Sequence, residues 1–155
     1  MVLAVLWWLV FTLLAVWASR IVPGVDFFGP GLVLCLQEQR GETFWLAGLW
    51  LLLLEGMGTM SFGYALVWFG AIVLMFHGGR WLFETRSFLF MCLMGAVLGA
   101  AHYALSLGML TLEDMTVPRH RLLMEGLAQA LVFPMQWSLM DRWFPDRLRS
   151  DDQAF

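Results

Sequence analysis

The chain has 155 residues, one domain's worth, of which 61% are hydrophobic and only 14% charged. A soluble domain of this size carries about 25% charged residues, so the composition excludes an ordinary water-facing surface and points to lipid as the solvent. The net charge of −3, with nine Arg, no Lys and twelve acidic residues, excludes the basic stripe that nucleic-acid binding needs.

The first apolar run, 2–19, resembles a signal peptide in length. It lacks a basic leading segment, and Trp17 lies between the small residues Ala15 and Ala18 where a cleavage site would need its pattern. It reads as a retained membrane helix. The next stretch, 21–40, is broken by Pro23, Asp26 and Pro30. Pro30 suits the first turn of a helix, where its missing N–H costs nothing. A helix from Pro30 to about Gln39 is roughly 15 Å long at 1.5 Å per residue. It either spans with the help of its flanks or re-enters, buried against other helices.

Two shorter apolar runs, 44–55 and 61–76, follow, joined by an uncharged Gly-rich bridge at 56–60 that predicts a tight turn. The segment 77–87, with Arg80, Trp81, Glu84 and Arg86, reads as an interfacial loop. The runs 88–110 and 122–140 complete the set, separated by a mixed-charge loop. A spanning helix needs about 20 apolar residues. The expectation is therefore an all-α polytopic bundle of about six helices, with residues 1–142 as one transmembrane domain and 143–155 as a short tail. With six crossings, Arg40, Arg80, Arg86, Arg142, Arg147 and Arg149 fall on one side and Arg20, Arg119 and Arg121 on the other. That bias puts both termini in the cytoplasm. Cys35 and Cys92 sit in apolar runs without ligand spacing.

Ionisable and polar groups inside lipid are costly and mark candidate sites. Glu125, Gln129 and Gln136 fall on nearly one stripe of the last helix, with Pro134 between them. That stripe is either the wall of a substrate site or a face bonded to neighbouring helices. Gly95, Gly99, His102 and Ser106 share a face of the 88–110 helix. Small residues at that spacing admit another backbone, and His102 then bonds across helices. Glu55, at the end of its helix, caps a polar network at the turn, meets a cation or hydrogen-bonds a partner helix. No phosphate loop, zinc-protease motif, nucleophile elbow or Cys/His cluster occurs, so the chain is expected to be no enzyme and to hold no cofactor or metal.

Three stretches carry a resemblance to a known family. The first is Pro30, Gly31 and Leu32 opening a short helix that ends at Arg40 and Gly41. The second is the run 52–66, in which three Leu precede Glu55, the small residues Gly56 and Gly58 follow, and Gly63 leads into the next helix. The third is the last helix, with Pro134 at its middle and an Arg-containing tail. In these the chain resembles the rod shape-determining protein MreD. Gly31 stands where that family often has Asp or Asn, and Glu55 where it usually has Asp. The resemblance implies a non-catalytic inner-membrane scaffold of the bacterial cell-elongation machinery for peptidoglycan synthesis. It implies a single-pass partner of the MreC type, and beyond it a RodA-type glycosyltransferase and a class B penicillin-binding protein. It also implies a fold like the substrate-binding subunits of energy-coupling-factor transporters. Two other functions fit the residues: a transporter subunit binding a small molecule at Glu125, Gln129 and Gln136, and the anchor of a respiratory complex.

Overall fold

The computed structural model describes residues 2–22, 24–38, 41, 43–57, 63–112, 118–145 and 149. Pro23, Gln39, Arg40, residues 58–60 of the Gly-rich bridge, the first two residues of the run expected at 61–76, Arg147 and the last six residues of the expected tail lie outside them. The described residues form six helices: α1 (Val2–Ile21), α2 (Gly29–Gln37), α3 (Thr43–Met57), α4 (Tyr64–Gly79), α5 (Phe88–Leu112) and α6 (Arg119–Trp143). The fold is all-α among these residues. α1 and α5 are long and apolar enough to cross a membrane, and α3 and α4 are shorter apolar helices.

Each boundary has a local cause. α2 starts where Pro30 fills its first turn. α4 starts at Gly63, whose φ of +99° is cheap only for glycine. α5 is capped by Ser87, whose Oγ accepts the Phe90 N–H at 3.2 Å. α6 begins directly after Pro118 and passes through Pro134 without ending.

The helices run alternately up and down. Phe144, just past the end of α6, packs on Trp7 and Trp8 near the start of α1. Phe76 near the end of α4 meets Phe90 at the start of α5, and both meet Trp137 late in α6. One end of the molecule therefore gathers the start of α1, the end of α2, the start of α5 and the ends of α4 and α6. The packed body reaches Phe144, which is 3% exposed, slightly past the boundary expected at 142.

α2 is the centre of the core. Phe28, Val33, Leu34 and Cys35 are fully buried, and the helix touches α3, α4 and α6. α1 joins through a narrow seam of Ala4, Trp8, Phe11 and Ala15. Trp50 of α3 fills the space opposite, edge-on to Trp8 and Phe11, and its indole N–H donates to Thr12 Oγ1 at 2.9 Å. Gly31 lies where a Cβ would collide with the Phe11 ring, so glycine at that position lets α1 approach α2.

α5 and α6 form the most extensive pair. A Cβ on Gly95 would lie 2.7 Å from the Ala130 carbonyl oxygen, and one on Gly99 would lie 2.5 Å from the Gly126 carbonyl oxygen. The small face expected to admit another backbone is thus filled by α6 of the same chain. A glycine face buries best against the nearest backbone of matching shape, and here that backbone is supplied in cis.

Candidate functional site

The connection between α1 and α2 folds inward instead of crossing the surface. Val25, Asp26 and Phe28 are all buried there. Buried irregular backbone must find hydrogen-bond partners, and the last helix provides them. Gln129 Oε1 accepts the Asp26 N–H at 2.8 Å, and Gln129 Nε2 donates to the Asp26 carbonyl at 3.4 Å. Gln136 Nε2 donates to the Phe27 carbonyl at 2.8 Å. Glu125 packs its carboxyl against Gly24, where φ is +87° and a Cβ would meet Glu125 Cδ at 2.7 Å. Its Oε1 accepts from Arg121 Nε at 2.9 Å. The stripe Glu125, Gln129 and Gln136 therefore grips the chain's own connection.

Asp26 is the hub. Its carboxylate is 7% exposed by residue and accepts three N–H groups. Oδ1 takes Phe28 N at 2.8 Å, and Oδ2 takes Gly29 N at 3.0 Å and Trp68 Nε1 at 2.7 Å. The first two are unsatisfied donors at the start of α2, so the carboxylate caps that helix against its positive end. The third ties α2 to α4. Charged acceptors make stronger bonds than neutral ones, and full satisfaction makes a buried network rigid.

Behind Trp68 lies a second polar cluster. The His102 ring stands edge-on to Trp68, with centroids 5.5 Å apart and planes at 81°. His102 Nδ1 is 3.1 Å from Tyr64 Oη, and Tyr64 Oη is 3.4 Å from Ser106 Oγ. His102 Nε2 is buried with no nitrogen or oxygen partner. This places His102 in an interhelical contact between α5 and α4.

Glu55 caps α4. Its Oε1 accepts Gly63 N at 3.0 Å and Ala65 N at 3.1 Å, so the carboxylate sits at the positive end of the next helix. The expected polar network at that turn is this cap, as far as the described residues reach.

A third polar group closes the end where α2 and α6 stop. Glu38, whose side chain is fully buried, pairs with Arg86 at 2.9 Å. Gln37 Oε1 accepts from Trp137 Nε1 at 3.1 Å, and Arg149 reaches the Asp141 carbonyl and carboxylate. Sequence reasoning singled out neither Asp26 nor the Glu38–Arg86 pair. For Asp26 a signal existed: an acidic residue three before a Gly-Pro pair marks a helix start. The Glu38–Arg86 pair spans 48 positions, and nothing local reveals it.

Among the described residues, no group of three or more His, Cys, Asp or Glu is placed to hold a metal ion. No family model, curated protein or solved structure matches this chain.

Proposed function

We propose that this chain is an integral membrane protein of six crossings, and that it works as a scaffold holding other membrane proteins. One observation carries the membrane reading. Among the described residues, the exposed charged side chains lie at the two ends of the helical body. His77, Arg80, Glu84 and Arg142 are at one end, and Arg20, Arg119, His120 and Arg121 at the other. Between these rims the exterior is apolar on every long helix. Leu9, Leu13, Leu52, Leu74, Leu93 and Val97 are all exposed. A water-facing protein does not leave so continuous an apolar belt.

α6 supports the same reading. It carries several charged and amide residues among its apolar ones, yet Leu123, Leu127, Leu131, Met135 and Leu139 line its outward face at every fourth residue. Its Glu125, Gln129 and Gln136 turn inward to the α1–α2 connection. Polar residues inward and apolar residues outward is the arrangement lipid selects. The shortness of α2 fits as well, because its entrance is buried in protein and satisfied there.

The scaffold role rests on two supports. The interior polar groups hold helix starts and the inward connection, which makes them structural. The resemblance to MreD implies partners of the MreC type at the bacterial inner membrane, in the machinery of peptidoglycan synthesis. Because Gly95 and Gly99 are occupied by α6, a partner helix must dock elsewhere. α1, attached by one narrow seam, leaves the most lateral surface open.

The test is site-specific photo-crosslinking in membranes that contain a co-expressed single-pass partner of the MreC type. A crosslinker at Leu13 on α1 is expected to yield an adduct with that partner. A crosslinker at Gly99 is expected to yield none. Absence of an adduct from every outward position of α1 and α5 would remove the scaffold reading. Release of the chain from membranes by alkaline carbonate without detergent would remove the membrane reading.

A further inference from the structure

Among the described residues, the exposed aromatic side chains are divided unevenly between the two ends of the body. Trp17, late in α1, lies at one end, and Phe44, Trp45, Trp81, Phe83, Phe88 and Trp143 lie at the other. Phe44 and Trp45 are in the first turn of α3, and Thr43 beside them donates its hydroxyl to the Cys35 carbonyl in the last turn of α2 at 3.2 Å. Trp81 and Phe83 follow the end of α4, Phe88 opens α5 and Trp143 closes α6. These are the helix ends already gathered by Phe76, Phe90 and Trp137.

The outer helices form a circuit around α2. α3 packs on α4, α4 on α5 and α5 on α6. Phe144, past the end of α6, meets Trp7 and Trp8 of α1, and Trp50 of α3 meets Trp8 and Phe11 of α1. The exposed rings come from successive members of that circuit, so they make a band and not a patch on one side. A partner protein covers one side of a helical body, whereas a bilayer surface meets it all the way round at one height. The α4–α5 loop shows how a ring is held outward. Leu82 N and Phe83 N both donate to the Gly79 carbonyl at 3.0 Å. Phe83 stacks on Phe90, Arg86 is drawn inward to Glu38, and Trp81 is left 92% exposed. Trp81 follows Arg80 and Trp143 follows Arg142, and both arginines are exposed. An indole is apolar across its ring and carries one N–H at its edge, so it settles where acyl chains meet headgroups. An arginine beside it extends its charged head to the phosphates.

We propose that this aromatic band seats the chain in the headgroup region of one leaflet, with phospholipid as its occupant. The proposal rests on the membrane reading above, and adds which end is anchored and by which residues. Trp17 is the exposed aromatic at the far end among the described residues, so the depth of the body is set from the banded side. On the topology expected from the arginine bias, that side is the cytoplasmic leaflet.

The test is site-directed spin labelling in vesicles of phosphatidylcholine and phosphatidylglycerol, in a Cys35→Ala and Cys92→Ala background. One label at a time is placed at Trp45→Cys, Trp81→Cys, Trp143→Cys or Leu131→Cys. Collision with oxygen, which dissolves in acyl chains, and with a water-soluble nickel chelate reads each label's depth. The first three labels are expected near the headgroups, about 15 Å shallower than the fourth, which is half of a ~30 Å hydrocarbon core. Those three in open water, with the Leu131→Cys label in acyl chains, would overturn the proposal and leave the membrane reading standing. A Leu131→Cys label in open water would overturn the membrane reading itself. Shielding of any of the three from both probes, seen only in membranes that hold a co-expressed partner, would show a protein face and overturn the proposal. A second measurement leaves the native cysteines in place. The fluorescence lost on Trp81→Phe is expected to be quenched more by phospholipid brominated near the headgroup than by phospholipid brominated near the chain end. The reverse order, or no quenching by either, would overturn the proposal.

Discussion

At the scale of single residues, Asp26 carries the largest burden. Replacing it with Ala leaves the Phe28, Gly29 and Trp68 donors without their acceptor and removes the cap of α2. The expected loss is about 3 kcal/mol, from a missing cap and a buried unsatisfied donor. Asp26→Asn keeps one amide oxygen as acceptor and should cost about half as much. Thermal unfolding of the purified variants in detergent, followed by circular dichroism, gives the ranking wild type, Asn, Ala. Equal loss in the two variants would mean that the charge, and not the number of bonds, matters. Asp26 appeared in the sequence as a helix breaker beside Pro30. That reading was correct locally but missed the role, because the Trp68 donor is 42 positions away and the Gln129 contacts 103. Gln129 and Gln136 were legible as an inward stripe from their spacing alone. What they grip was not, because the partner is backbone, which leaves no mark in side-chain pattern.

At the scale of helices, apolar run length set the order of elements well. The run expected at 2–19 is α1, Val2–Ile21, and the run expected at 88–110 is α5, Phe88–Leu112. Boundaries differ where capping outweighs hydropathy. α6 starts at Arg119, three residues before the apolar run, because Pro118 fixes the entry and polar residues are welcome in a first turn. Packing partners were less legible, since a small-residue face does not say whose backbone it receives. The glycines of α5 now separate into two kinds. Gly99→Leu should force α5 and α6 apart and lower the stability of the isolated chain by about 3 kcal/mol, the upper range for overpacking. Gly108→Leu, where an added Cβ meets nothing within 4 Å, should leave stability equal or slightly higher, since leucine is the better helix former. Unfolding of both variants without any partner present is decisive. A Gly99→Leu chain as stable as the parent would return that face to the list of docking surfaces. Glu55→Ala tests the same scale at the start of α4, where loss of the acceptor for Gly63 N and Ala65 N should cost about 1 kcal/mol.

At the scale of the whole molecule, the inward polar and outward apolar faces make opposite demands on substitution. In a water-facing protein an exposed leucine tolerates arginine freely. In lipid the same change at mid-helix costs about 2.5–3.5 kcal/mol on the insertion scale. Leu131 lies midway along α6 and is 68% exposed, so it separates the two cases. Leu131→Arg should sharply reduce the fraction of chain integrated into membranes. Arg at position 143, beside the charged rim where Trp143 is 65% exposed, should leave that fraction near the parent's. The measurement is the glycosylated or protease-protected fraction of each variant in a microsomal insertion assay. Because the start of α1 and the end of α6 share one end of the body through Trp7, Trp8 and Phe144, the assay also reads topology. Tags appended at the two chain ends should be protected or exposed together. Equal insertion of Leu131→Arg and Trp143→Arg would mean that lipid does not contact the outer face of α6. Tags found on opposite sides would mean an odd number of crossings, with α2 the helix that fails to cross, since it is the shortest and enters from within the body.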